Sequence, residues 1–139
     1  AEDVKELLEH PEEKAGGLMT TAFPTLLPQA TAREALEFLR HEAENLDLVY
    51  YLYVADPEEH LLGVVSLRDL LLASPQTRLA DMMDARVVAV QLGEEKEEIA
   101  DRFAKYGLKA IPVVDEENHV KGVIPFKSLL EVVAPQLGK

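Results

Sequence analysis

The apolar positions of this chain fall into short runs and helical stripes, and the whole succession occurs twice. Val4, Leu7 and Leu8 share one face of a helix predicted over 1–10, which Pro11 ends. Residues 12–22, with the Gly16-Gly17 pair, read as an irregular connector into a short extended piece over 25–27, closed by Pro28. Thr31 followed by Glu34 is a capping-box signature, and Leu36, Leu39 and Ala43 continue at helical spacing, which predicts a helix over 32–44. The β-branched and aromatic run 49–54 is too short for a helix, and together with 61–66 it predicts a strand pair. A helix over 67–73 is stopped by Ser74-Pro75.

The second succession has a helical turn at 79–83, a strand over 87–92 and a helix over 94–106. Ile99, Phe103 and Tyr106 line one face of that helix, and Gly107 is its expected cap. Strands over 110–114 and 120–124 and a helix over 126–133 follow, with Pro135 beyond. Met19 returns as Met83 after 64 residues and Leu36 as Ile99 after 63, while Asp56/Asp115 and Gly63/Gly122 are both 59 apart. The shortening falls at 43–48, where the first copy has a longer connection. The class is therefore α+β: two β-α-β-β-α units, expected to pack as a pseudo-two-fold pair with clefts where the copies meet. The division is residues 1–17 as a linker helix and connector from a preceding domain, 18–78 as the first repeat and 79–139 as the second.

Composition narrows what such a chain can meet. A net charge of −12 with pI 4.7 repels phosphate backbones and anionic lipid, so nucleic acid is not an expected partner, whereas divalent cations are. Zero cysteines removes disulfides, thiolate nucleophiles and cysteine zinc sites, and suits a reducing compartment. No apolar run approaches the roughly 20 residues of a membrane-spanning helix, and no signal peptide is visible. The chain starts without methionine inside a helical pattern, which reads as a fragment of something longer.

The polar letters around Gly63 carry the comparison that matters. Gly63-Val64-Val65-Ser66-Leu67-Arg68-Asp69 closes the first copy, and Gly122-Val123-Ile124-Pro125-Phe126-Lys127-Ser128 stands in its place in the second. This repeated unit resembles the cystathionine β-synthase (CBS) domain, present as a tandem pair over nearly the whole chain. The segment from Leu7-Leu8-Glu9-His10-Pro11 to Gly16-Gly17-Leu18-Met19-Thr20, with Tyr50-Tyr51-Leu52-Tyr53-Val54, is similar to the CBS region of MgtE-type magnesium transporters. The resemblance implies a regulatory, non-enzymatic module at the cytoplasmic face of a membrane. It implies a homodimer joined to N-terminal and transmembrane domains of the same chain, sensing Mg²⁺ and ATP or another adenine nucleotide to gate a pore.

By that resemblance Ser66 and Asp69 would hold the ribose, Arg68 the phosphates and Tyr51 the base. Leu108, Ala110 and Pro112 of the other copy would stand across the cleft. A carboxylate can accept from both ribose hydroxyls and a guanidinium suits phosphate oxygens, although a residue at Asp69 can also serve only a helix N-terminus. Pro125 and Ser128 replace the hydroxyl and the acid in the second copy, so one nucleotide per chain is expected. Lys127 reads as a solvated side chain.

For the cation, Glu94, Glu97, Glu98 and Asp101 lie at i, i+3, i+4 and i+7, which puts four carboxylates on one helical face, away from Ile99 and Phe103. Hard oxygen donors suit Mg²⁺, which is commonly held by one or two carboxylates and waters. The resemblance maps cation positions to Glu95, Glu97 and Glu131, with Glu98 added from the stripe. Gly107 and Ser128 stand where two further family acids would be. Catalysis finds no support: Ser66 lacks a G-x-S-x-G turn, and His10, His41, His60 and His119 are scattered. His60 and His119 occupy the same hairpin loop in each copy and read as exposed loop side chains. The alternative function within this fold is an adenine-nucleotide-sensing module of an enzyme or stand-alone protein.

Overall fold

Thr31 and Glu34 form the reciprocal cap their spacing predicts. The Thr31 N–H donates to Glu34 Oε1 at 2.9 Å, and the Glu34 N–H donates to Thr31 Oγ1 at 3.2 Å. The Thr31 N–H, and the Thr31 hydroxyl donating to the same Oε1 at 3.0 Å, hold the Glu34 carboxyl below its ordinary range. The computed structural model describes residues 14–42 and 50–133, and the helix expected over 1–10 lies outside the described residues.

Twelve elements follow in order among the described residues: α1 (Ala15–Leu18), β1 (Thr25–Leu26), α2 (Ala32–Glu42), β2 (Tyr51–Ala55), β3 (Leu61–Ser66), α3 (Leu67–Leu72), α4 (Leu79–Met82), β4 (Val90–Gln91), α5 (Lys96–Tyr106), β5 (Ala110–Val114), β6 (Val120–Pro125) and α6 (Phe126–Val133). They make two three-stranded sheets, ordered β1-β2-β3 and β4-β5-β6. In each, the short first strand runs parallel to the second, with Thr25 opposite Tyr53 and Val90 opposite Val113. β2 and β3 are antiparallel, with Tyr51 opposite Ser66. The strand expected over 87–92 is paired only at Val90–Gln91. The connector expected to be irregular contains the helical turn α1.

The chain divides into two compact units, the first of residues 22–87 with 117–120, the second including 14–21, 88–116 and 121 onward. Leu52, Val54, Val65, Leu70 and Leu79 belong to the core of the first. Ala15, Leu18, Ile99, Phe103, Ile111 and Ile124 belong to that of the second. The leading turns are thus exchanged relative to the linear order. α1 is docked in the second unit, where the N–H groups of Ala15 and Gly16 donate to the carbonyls of Glu94 and Leu92 at 3.0 and 3.1 Å. α4 is docked in the first, where those of Leu79 and Ala80 donate to Ala30 and Pro28 at 2.8 and 2.9 Å. A helix start leaves such N–H groups without intrahelical partners, and here the loop before a longer helix supplies them.

The exchange explains the two motif glycines. Beyond α4, Asp84 pairs with Val64, and beyond α1, Thr20 pairs with Val123. A Cβ on Gly63 would lie 2.5 Å from Met83 Sδ, and one on Gly122 would lie 2.5 Å from Met19 Sδ. The repeated methionine and the repeated glycine therefore meet, each pair within one unit.

Candidate functional site

Ser66 ends β3 and begins α3. Its Oγ accepts from the Asp69 N–H at 3.0 Å, so the hydroxyl is the N-cap of a helix whose first turn carries Asp69. The cap fixes the backbone of the turn. Leu67 donates its N–H to the Tyr50 carbonyl at 2.9 Å, which ties the turn to the start of β2. Tyr51, opposite Ser66, is half-buried. Arg68 and Asp69 are exposed, and among the described residues neither side chain makes a hydrogen bond or ion pair. The structure thus brings Tyr51, Ser66, Arg68 and Asp69 to one end of β2 and β3 in the first unit. A carboxylate, a guanidinium and an aromatic ring displayed there can serve ribose hydroxyls, phosphate oxygens and a base respectively.

Leu108, Ala110 and Pro112 belong to the second unit, with Ala110 and Pro112 buried at the start of β5 and Leu108 half-buried before it. The matching turn there has Pro125 before α6 and offers no cap oxygen. The Phe126 N–H instead donates to the Lys109 carbonyl at 2.9 Å, and the Phe126 ring packs 5.3 Å from that of Phe103. Ser128 is half-buried and Lys127 exposed.

The acidic helix differs from the pattern in one respect. α5 begins at Lys96 with Glu95 as N-cap, so Glu94 lies before the helix and does not share its face. Glu94 turns inward: its side chain is 15% exposed, Oε1 accepts from Arg102 Nη1 at 2.9 Å and from the Gln91 N–H at 3.2 Å, and Oε2 is buried without a partner among the described residues. Arg102 also donates to the Ala89 carbonyl at 2.8 Å. This bridge ties the β4–α5 loop to the helix and removes Glu94 from the displayed stripe.

Glu95, Glu97, Glu98, Asp101 and Glu131 are exposed. Among the described residues no three His, Asp or Glu side chains converge to hold a metal ion. Their donor chemistry fits Mg²⁺, which retains waters and needs only one or two carboxylates per site, while an all-protein cage is absent from the described residues.

Two features escaped the sequence. Tyr53, opposite Thr25 and Val64, is 2% exposed with its hydroxyl unpaired among the described residues, and burial pushes that phenol up. The other is the contact between His60 and His119, whose rings stack. Strand alternation could have put Tyr51 and Tyr53 on one face, but not shown that the second hydroxyl is sealed.

The family model described as CBS domain matches residues 15–75 and 79–135. The chain belongs to the CBS domain family. This CBS pair is 40% identical over 131 residues to the magnesium transporter MgtE of Thermus thermophilus and 37% identical over 133 to that of Enterococcus faecalis, covering 94% and 96% of the chain. It spans 29% of the length of each. Among solved structures it is similar to the cytosolic domain of the Mg²⁺ channel MgtE in complex with ATP, at TM-score 0.86 and 40% identity over 94% of this chain and 53% of that one. It is also similar to the soluble part of a magnesium transporter, at TM-score 0.87 and 36% identity over 96% and 52%. The CBS pair is of the MgtE type. No helix among its described residues is long and apolar enough to cross a membrane.

Proposed function

We propose that this CBS pair is the regulatory module of a magnesium transporter, binding an adenine nucleotide at the Ser66–Asp69 turn and responding to Mg²⁺ through its exposed carboxylates. The observation that carries the nucleotide half is that the Asp69 and Arg68 side chains are exposed and, among the described residues, unpaired, on a turn fixed by the Ser66 cap. The likeness to an ATP-bound relative supports ATP as the nucleotide. Pro125 and Ser128 leave the second turn without the hydroxyl cap and the acid, so one nucleotide binds per chain.

For the ion, Glu95, Glu97, Glu98 and Glu131 repel one another and any facing acidic surface. A hydrated Mg²⁺ shared between carboxylates relieves that repulsion and stabilises whichever arrangement brings them together. A ligand shifts a conformational equilibrium only by its difference in affinity for the two states, and this difference would bias a pore in the same parent protein. The exposed Leu71 and Leu72 on α3, 62% and 74% accessible, support association as a homodimer, and the likeness to the cytosolic domain of a Mg²⁺ channel supports a place at the cytoplasmic face of a membrane.

Calorimetric titration of ATP into the chain and into Asp69→Ala tests the nucleotide site. Binding to the first with one site per chain, and loss in the variant with an unchanged circular dichroism spectrum, is expected; equal affinities refute the assignment. Small-angle scattering across low to high millimolar Mg²⁺ tests the sensor. Compaction is expected, and nucleotide binding with no Mg²⁺-dependent change would instead favour an adenylate-sensing module of an enzyme or stand-alone protein.

A further inference from the structure

The register of β2 and β3 sets Tyr51 opposite Ser66 and Tyr53 opposite Val64, so these four residues share one face of the first sheet. Leu52, Val54 and Val65 point to the other face, into the core of the first unit. Exposure falls steadily along the first face. Asp69 is exposed at the turn, Ser66 and Tyr51 are half-buried at the strand ends, and Tyr53 is buried one pleat further in. The Tyr51 and Tyr53 rings are neighbours, with centroids 6.5 Å apart and planes at 59°. The Tyr53 hydroxyl is buried and, among the described residues, has no hydrogen-bond partner. Burial, and after it the Tyr51 phenol, push the Tyr53 phenol up, so at neutral pH it keeps its proton and can donate. Packing alone does not require that oxygen, since phenylalanine fills nearly the same space. A hydroxyl left unpaired in an interior costs free energy, and a ligand that brings an acceptor to it recovers the loss.

Resting on the reading of the Ser66–Asp69 turn as the sugar and phosphate end of a nucleotide site, we propose that the Tyr53 hydroxyl is a specificity determinant of that site, donating a hydrogen bond to a ring nitrogen of the purine base. From Tyr51 to Tyr53 the strand advances about 7 Å, the scale of a base beside its ribose. A nucleotide held at the turn by Asp69 and Arg68 therefore lays its base along this face, against the Tyr51 ring, with its far edge at Tyr53. Base entry uncovers the sealed hydroxyl by rotation of the half-buried Tyr51 side chain at the rim. A ligand without an acceptor at that edge opens the face and leaves the hydroxyl unpaired, so it binds more weakly.

Calorimetric titration of ATP into the 139-residue chain, into Tyr53→Phe and into Asp69→Ala tests the base contact. Tyr53→Phe should bind ATP about tenfold more weakly, the equivalent of one hydrogen bond. Ribose 5-phosphate, which offers sugar and phosphate without a base, should bind the wild type and Tyr53→Phe alike. Urea unfolding without nucleotide should find Tyr53→Phe at least as stable as the wild type, because no bond is lost. Equal ATP affinity in the wild type and Tyr53→Phe, with binding abolished in Asp69→Ala, overturns the base contact and leaves the turn assignment standing. The base contact is overturned as well by a loss for ribose 5-phosphate equal to that for ATP, or by a Tyr53→Phe chain less stable than the wild type. ATP bound as tightly by Asp69→Ala as by the wild type removes the turn assignment, and the base contact with it.

Discussion

Replacing Gly122 by alanine tests the exchanged architecture most directly. The new Cβ would stand 2.5 Å from Met19 Sδ, 2.8 Å from Met19 Cγ and 2.9 Å from the Thr20 carbonyl oxygen. The sulfur lies at the far end of a flexible side chain and can rotate away. The carbonyl cannot, because it accepts from the Val123 N–H at 2.9 Å while Val123 accepts from the Thr20 N–H at 2.8 Å. Relief requires the Thr20 segment to back away from β6, straining one or both of these bonds. Overpacking costs about 1–3 kcal/mol, and a loosened hydrogen bond adds about 1 kcal/mol. Gly63→Ala meets Met83 equally closely but leaves 3.1 Å to the Asp84 carbonyl oxygen, so its cost should be smaller. Urea unfolding of both variants gives the comparison. Combining Gly122→Ala with Met19→Ala should cost less than the sum of the two single changes, as coupling between residues in contact requires. A Gly122→Ala protein as stable as the wild type would refute the close approach of α1 and its following bridge to β6.

Three other outcomes follow from the local geometry. Ser66→Ala removes the α3 cap and should cost about 0.5–2 kcal/mol in chemical denaturation, with weakened ATP binding in the same preparation. Arg102→Ala strands the inward-turned Glu94 carboxylate and should cost about 1–3 kcal/mol, with Glu94→Gln in that background restoring part of it. Acid should weaken the fold through Glu34 and Asp56: their carboxyls titrate below ordinary values of 4.5 and 3.8, so they contribute stability above those values and lose it as pH falls through the lower folded ones. Thermal midpoints in that acid range should fall less steeply for Glu34→Gln than for the wild type.

The parts of the fold legible in the sequence are those written in neighbouring residues. Thr31 and Glu34 carry their cap in a three-residue spacing, and Gly107 ends α5 with φ 61° and its N–H on the Phe103 carbonyl. The long strands declare themselves by β-branched runs. Glu94 was misplaced because a four-point periodicity extends as well before a helix as within it, and only the Glu95 cap marks the start. The Ser66–Asp69 turn was readable as a motif, but the division of labour within it was not: Ser66 serves the backbone, leaving the Asp69 carboxylate displayed. The docking of α1 and the histidine stack join residues tens of positions apart, and no local pattern encodes them. Loss of the cap oxygen at Pro125 needed only the comparison of copies.

The exchanged turns also decide where a pull on the chain is felt. Residues Lys14 to Gly16 are bonded to the loop at Leu92–Glu95, so tension arriving from the amino-terminal side loads the lead-in to the acidic helix before it reaches β1. Tension is then borne across the backbone hydrogen bonds of Ala15 and Gly16 at the mouth of α5. A single-molecule pull from the amino terminus should accordingly disrupt the second unit first, although the first repeat comes earlier in the chain.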